Sequence, residues 1–503
     1  MNTSYILMIV TIVSKIFGLV REKALAYFFG TGIVVEAFLV AFQIPMTFTN
    51  ILSGATANGY IPMYNEIKEN KGEQEANKFT SNLSNIIFIG TLLLSIVGIV
   101  FARQLVGVMA IGFEGETLKM AVFMTRVALL SLGATTVFSI FKAYLQIKKH
   151  FIVSVAHAIL MNVIIIASMA FAKKLGYQYL AFGILAGFIF QYLIFLPYIK
   201  KTGYRHKGLI DLKDGDFKTM MKIIVPVLIS TSVIELNFII SKSLASALFT
   251  GAMASLNYAY KLQAFVTGIV ITSIVTAVYP DMARLGAVGD YDGLKKSVGE
   301  ALVSMALLVV PASTGLFIFS DPIVKLLFVG GAFGVQDGVV TATVLNFYAI
   351  GIIGIGVREI VSRAFYAIMD TKTPVVNSVV MVGVNIALSI VMMKVYGIRG
   401  LALATSISFI VGAILMVLSL KGKLGRVFSA INISDLVKIT IATVCMGVLA
   451  SIAYSFSSRF IGSILSLLIA IAVAGVVYLV AILVLKVSEV QNIINKIKNK
   501  RAK

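Results

Sequence analysis

The sequence predicts an all-α polytopic membrane protein of about fourteen transmembrane helices, arranged as two pseudo-symmetric six-helix lobes followed by a C-terminal helix pair. Three observations predict it. Of 503 residues, 59% are hydrophobic and 13% charged, and mean hydropathy is +0.97, far above that of a water-soluble globular chain. Runs of about 20 apolar residues recur from end to end, each long enough to cross a hydrocarbon core of roughly 30 Å. The chain also repeats itself at a distance of about 220 residues. Gly32 to Pro62 lines up with Gly251 to Pro280, Lys142-Ala143-Tyr144 with Arg363-Ala364-Phe365, and Gly176…Leu180-Ala181 with Gly397…Leu401-Ala402. Duplicated halves in a lipid-soluble chain are how many secondary transporters are built, with the substrate handled where the halves meet.

The expected spans are 3–29, 34–64, 80–109, 118–147, 151–173, 178–199, 217–247, 253–283, 296–320, 339–369, 374–395, 399–420, 434–456 and 460–486. The first follows directly on Met1-Asn2-Thr3, with no basic n-region and no small-residue cleavage site, so it is expected to stay as a first helix. The first, second, fourth, eighth and tenth are long enough to tilt or project beyond the bilayer. The loop 200–222 carries seven Lys or Arg against three Asp, which places it, and the lysine-bearing loops at Lys68, Lys71, Lys148, Lys149, Lys295, Lys296, Lys372, Lys421, Lys423 and Arg426, on the cytoplasmic side. The opposite side carries only scattered charges such as Arg103, Lys325, Arg399 and Arg459. Both termini are then cytoplasmic. The halves read as 1–205 and 206–425, each with six helices and therefore entering the membrane in the same direction, and 426–503 holds an extra helix pair and a basic tail, Lys496 to Lys503. The tail reads as a topology signal resting on anionic lipid, and Glu66 to Lys78 as a solvated loop or helix end.

A net charge of +21 does not signal nucleic acid, because much of it lies in short loops and the tail. There is no G-x-x-x-x-G-K-[ST] phosphate loop. His150, His157 and His206 are dispersed, Cys445 is the single cysteine, and no catalytic constellation stands out, so no metal, cofactor or enzymatic activity is expected.

The informative charges lie inside spans, where each costs roughly 2.5–3.5 kcal/mol on insertion scales unless it faces water or a partner. The first span holds Lys15, Arg21, Glu22 and Lys23; the second starts with Glu36 and carries Pro45, Thr47, Thr49, Asn50, Ser53, Gly54 and Asn58. The seventh holds Glu235, Asn237, Ser241 and Lys242, the eighth Lys261 and Gln263, the tenth Arg358, Glu359 and Arg363, and the fourth Arg126 and Lys142. Ligand binding by Lys15, Arg21 and Lys261 competes with snorkelling or with internal pairing to Glu22 or Glu36. Arg358 and Glu359 read equally as a neutralising pair, Lys142 and Arg363 as snorkelling groups, and Glu235 with Asn237 as a helix–helix hydrogen bond or a cation site. Basic groups outnumber acidic ones, so the expected cargo is anionic, with phosphate or diphosphate its natural chemistry.

Lys15-Ile16-Phe17-Gly18-Leu19-Val20-Arg21-Glu22, then Glu36-Ala37-Phe38-Leu39-Val40-Ala41-Phe42 and Pro45, resemble the opening of the MurJ/MviN family of lipid II flippases. Arg363-Ala364-Phe365-Tyr366-Ala367 with Asp370-Thr371-Lys372-Thr373-Pro374, and Gly397-Ile398-Arg399-Gly400-Leu401-Ala402-Leu403-Ala404, resemble that family's tenth to twelfth helices. The resemblance runs over nearly the whole chain. It implies the fourteen-helix fold of the multidrug/oligosaccharidyl-lipid/polysaccharide exporter superfamily, a bacterial inner-membrane location, and transfer of an undecaprenyl-pyrophosphate-linked peptidoglycan precursor, lipid II, between leaflets by alternating access. It places Lys15, Arg21, Glu36 and Lys261 in a cationic cavity, gives the last two helices a groove for the lipid tail, and implies contacts with cell-wall synthesis enzymes. Arg358 and Asn50 complete the expected substrate-binding set. The chain departs from the family where Thr49 and Asn50 replace paired arginines, where Ala264 replaces an acidic residue, where Lys replaces Arg at 15 and 261, and where Ser241 replaces an acid linked to sodium. These departures keep open another polyprenyl-linked glycan as cargo. A multidrug or cation antiporter of the same superfamily would call for more cleft acids than Glu36, Glu235 and Glu359, and a membrane enzyme for larger outer loops.

Overall fold

The computed structural model describes residues 3–425 and 433–491; Arg426 and the basic tail 496–503 lie outside the described residues. The chain is helical throughout, and among the described residues the sole extended pairing is an isolated bridge between Gly330 and Phe333. Its helices gather into two compact units, one of residues up to Ala254 with Gly330–Gly334, the other of Ser255–Val329 with Val335 onward.

The first unit runs α1 (Thr3–Phe29), α2 (Ile33–Ala55), a five-residue π-helix (Thr56–Tyr60), α3 (Ile61–Lys71), α4 (Glu73–Val100), α5 (Ala102–Met109), α6 (Gly115–Leu129), α7 (Leu132–Ile147), α8 (Val153–Leu175), α9 (Gln178–Leu193), α10 (Leu196–Lys201) and α11 (Gly215–Ser246). The second holds nearly all of α12 (Ala252–Ala287), then α13 (Tyr291–Ile318), α14 (Ser320–Phe328), α15 (Val335–Ala367), α16 (Lys372–Tyr396), α17 (Ile398–Leu424), α18 (Ile433–Ser457) and α19 (Ser463–Val484). Among the described residues eleven helices are long and apolar enough to cross a membrane, twelve if α6 and α7, bent by 47° at their junction, are counted as one broken span. The first and seventh expected spans, α1 with 27 residues and α11 with 32, have the length to cross as well at about 1.5 Å per residue. The helices are thus approximately consistent with the fourteen spans expected from the sequence.

Length beyond the bilayer is absorbed by breaks rather than by tilt alone. The second expected span stops being α-helical at Ala55, and one π-turn leads into α3. The third divides at Phe101 and the ninth at Phe319, with near-identical backbone angles of −94°, 22° and −103°, 19°. The segment 66–78 is helical except at Gly72, whose φ of +86° turns α3 into α4.

The repeat in sequence is a repeat in backbone geometry. At the end of α7, Lys149 takes a positive φ of 62° and the N–H of His150 donates to Leu145 O at 2.8 Å; at the end of α15, Met369 takes 61° and Asp370 N–H donates to Phe365 O at 2.9 Å. Both are left-handed helix stops that satisfy the last carbonyls. Asp370 adds a cap, accepting from the Thr373 N–H at 3.0 Å and hydroxyl at 2.6 Å and pairing with Lys423 of α17. Burial pushes its carboxyl up, but the Lys423 ammonium and the Thr373 donors outweigh that and hold it at about 2. This explains Asp-Thr-Lys-Thr-Pro as a corner clip.

Unit 1 closes around an aromatic core of Tyr60, Tyr64, Phe79, Phe138, Tyr144 and Tyr204. The tyrosine hydroxyls are paired: Tyr60 with Thr80 (2.8 Å), Tyr64 with Asn77 (2.9 Å), Tyr144 with Thr202 (3.0 Å) and Tyr204 with Ser81 (2.8 Å). The polar face of α4 also holds the non-helical stretch after α10, Asn82 exchanging hydrogen bonds with the backbone of Asp211.

Unit 2 is built on close approach of α15 to α17. A Cβ at Gly354 would fall 2.7 Å from the Phe409 carbonyl carbon, and one at Gly351 would fall 2.9 Å from Ser406 Cα. Without a hydrophobic driving force between helices in lipid, small residues provide this packing. Gly354→Ala should therefore lower the unfolding temperature of the detergent-solubilised protein, by overpacking of about 1–3 kcal/mol, whereas Gly383→Ala in α16, which meets nothing within 4 Å, should leave it unchanged or raise it slightly. Equal melting of the two variants would contradict the packing argument.

Candidate functional site

The intramembrane charges are partnered mostly within their own unit. In α1, Arg21 and Glu22 are both buried, 6% and 2% exposed, and Arg21 Nη2 donates to Glu22 Oε1 at 2.6 Å. The guanidinium lies over the Phe42 ring of α2, 4.4 Å from its centroid, and Phe42 stacks between Phe38 and Phe188. Arg21 is thus neutralised by its neighbour and clamped by an aromatic face, although its Nε is buried without a partner. Lys15, further towards the start of α1, is half-buried.

Glu36 sits in the first turn of α2 and is 2% exposed. Its Oε1 accepts from the N–H groups of Gly251 (2.9 Å) and Met253 (3.2 Å), which open α12. A carboxylate placed there satisfies orphan donors and the positive end of the helix dipole together. Gly251, with φ +102°, brings those N–H groups into place.

Asn50 is exposed on α2, and its amide donates to Glu235 Oε1 of α11 at 3.0 Å, while Thr47 donates to Oε2 at 3.2 Å. Gln43 continues the ladder to Thr47 (3.0 Å), and Lys242 donates to Gln43 at 2.8 Å. Glu235 therefore joins helices by hydrogen bonds. In the second unit, Lys261 is half-buried on α12, and its neighbour Gln263, 1% exposed, donates to Tyr348 O of α15 at 2.6 Å. On α15, Arg358 donates to Glu359 at 3.0 Å and to Ser378 at 3.4 Å, and Arg363 reaches the other Glu359 oxygen at 3.6 Å. Two guanidinium groups share one carboxylate.

Of the six expected site residues, Lys15, Arg21, Glu36 and Asn50 lie in the first unit, and Lys261 and Arg358 in the second. The Arg21–Glu22 and Arg358–Glu359 pairs were legible as adjacent letters. Phe42, Gln43 and Ser378, which hold those charges, were not singled out; spacing along α2 gave the only hint for Gln43 and Thr47, one turn apart. Among the described residues no three His, Cys, Asp or Glu side chains converge as metal ligands.

Two helical units whose backbone geometry recurs, with basic side chains kept inside apolar spans, define a polytopic membrane transporter. A solved structure shares the fold: an inward-facing multidrug MATE transporter of the MOP superfamily is similar with a TM-score of 0.68 over 83% of this chain and 96% of its own, and at 12% identity it shows the fold alone. The chain belongs to the MurJ family, whose model, described as lipid II flippase MurJ, matches residues 25–483. A structure titled lipid II flippase MurJ, inward closed conformation, is similar with a TM-score of 0.83 at 25% identity, covering 94% of this chain and 97% of that one. The lipid II flippase MurJ of Burkholderia cenocepacia is 28% identical over 421 residues, 82% of each chain, and the probable lipid II flippase MurJ of Thermotoga maritima 26% identical over 490 residues, 97% of each.

The buried pair makes a prediction. Arg21→Ala removes the guanidinium paired with buried Glu22 and should destabilise the protein by about 3–5 kcal/mol, read as a fall in unfolding temperature; Arg21→Ala with Glu22→Ala should recover most of the loss. A double variant no better than the single one would show that Arg21 is not held by Glu22.

Proposed function

We propose that this chain moves lipid II, an undecaprenyl-diphosphate-linked peptidoglycan precursor, from the inner to the outer leaflet of a bacterial cytoplasmic membrane by alternating access. The observation that carries this reading is the match of residues 25–483 to the flippase family, supported by relatives of that name along 82% to 97% of the chain. It is a transport function; no covalent step is required of the side chains. Both termini lie in the cytoplasm on this reading, because the lysine-rich loops obey the positive-inside rule. The repeat divides the chain at 205 and 425, a division of ancestry that differs from the packing of α11 on the first unit. Docking to cell-wall synthesis enzymes belongs to the same reading.

Within it, Lys15, Arg21, Lys261 and Arg358 draw in the diphosphate, Arg in the planar fork and Lys as point charges. Glu36 acts by holding the opening turn of α12, and Asn50 by its place beside Glu235. A polyanion entering spans in which basic groups outnumber acidic ones lowers the cost of keeping that net charge in lipid, and the membrane potential then acts on whatever charge moves.

The test is complementation of a conditional lipid II flippase mutant, reading outer-leaflet lipid II directly. The chain should restore exposure of lipid II, and Lys15→Ala and Lys261→Ala should each reduce it at least tenfold while the protein inserts normally. No restoration by a well-inserted chain in a host whose own family member complements would refute the cargo; full activity in both variants would refute the site.

A further inference from the structure

The second unit contains a small cavity of its own, with a few polar side chains in a mostly apolar wall. It has a volume of about 200 Å³ and lies between one face of α12, with Thr267, Thr272 and Val275, and one face of α15, with Ile355, Glu359 and Arg363. These residues recur at spacings of three to five, so each helix presents a single stripe to the cavity. Arg363 closes it at the end nearer the lysine-bearing loop at Lys372. Its guanidinium carbon lies 5.6 Å from the Tyr279 ring of α12 and 5.7 Å from the Tyr366 ring of α15.

The charge here is unbalanced. Glu359 is shared, and Arg358 holds it at 3.0 Å while Arg363 has a longer contact of 3.6 Å. The Nε atoms of both arginines are buried without a hydrogen-bond partner. Two cations and one anion leave a net positive charge beside a cavity several times the ~30 Å³ occupied by one water, with two threonines on its opposite wall. A planar fork with unfilled donors, bracketed by aromatic faces, is chemistry suited to a phosphate oxyanion.

We propose that Arg363, with Thr267 and Thr272 and with Arg358 contributing its charge through Glu359, forms a phosphate-anion subsite inside the second unit, taking either the diphosphate of the cargo or the phosphate of an anionic phospholipid. The cargo as source rests on the proposed flippase function; the subsite itself does not. Tyr279 and Tyr366 flank the guanidinium, while Glu359 holds it by a contact of 3.6 Å that an incoming anion would compete with.

The chain contains no tryptophan, so Tyr279→Trp gives a single local reporter that keeps an aromatic face toward Arg363. The full-length reporter protein, in phosphatidylcholine nanodiscs, is titrated with inorganic pyrophosphate, with farnesyl diphosphate and with phosphatidylglycerol added to the disc. The expected result is a saturable emission change that Arg363→Gln weakens at least tenfold, Arg363→Lys weakens less, and Glu359→Gln strengthens. A response to the diphosphates without one to phosphatidylglycerol assigns the cargo as source, and the reverse assigns the lipid. No saturable response to any of the three, or an equal response in Arg363→Gln and the parent, overturns the subsite. Because binding is read at residue 279 and not by transport, loss of flipping with this response intact would bring down the cargo assignment and leave the subsite standing.

Discussion

Everything in this protein is arranged around the cost of keeping charge in hydrocarbon. An isolated cation there is expensive, and each intramembrane arginine described above sits against a carboxylate or an aromatic face. Arg21 has Glu22 and Phe42, and Arg358 has Glu359 and Ser378. The carboxylates are themselves employed, Glu36 on the first turn of α12 and Glu235 on two donors of α2. The surplus of basic over acidic groups remains after this pairing. That surplus, carried by a flippase family fold, is what the proposed recognition of an anionic headgroup rests on.

The two halves solve the same folding problem with the same local devices and differ where rigidity is given up. Helix stops at Lys149 and Met369, turns at Gly176 and Gly397, and breaks at Phe101 and Phe319 recur at matching positions. Yet α12 and α15 are continuous, whereas their counterparts in the first half are interrupted, one by the π-turn at Thr56–Tyr60 and the other by the 47° bend between α6 and α7. A π-turn leaves a helix with weaker local hydrogen bonding and often marks a functional segment. Unequal helices in otherwise matching halves give the first half more ways to deform.

Much of this was legible in the sequence. Hydropathy pointed to about fourteen spans because each is a long apolar run, and the repeat anticipated the matching helix stops at Lys149 and Met369 because Gly, Pro and basic-aromatic landmarks keep their order. The Arg21–Glu22 pair was legible as adjacency. What stayed hidden depends on contacts between distant residues. Nothing near Glu36 announces that its partners lie more than 200 positions away at Gly251 and Met253. The division of the third, fourth and ninth spans was also hidden, since Phe101, Ser131 and Phe319 lie within runs whose hydropathy is continuous. The sharing of Glu359 by two arginines required knowing that Arg363, one turn on, points back.

The central claim is the proposal that the basic groups of these spans recognise the cargo through its diphosphate. Native mass spectrometry of the purified protein tests it most directly, comparing lipid II with a matched polyprenyl glycan whose diphosphate is replaced by a neutral linker. Retention of lipid II with loss of the neutral analogue is the predicted result. Equal retention of both would show that tail and glycan carry recognition, and would contradict the account.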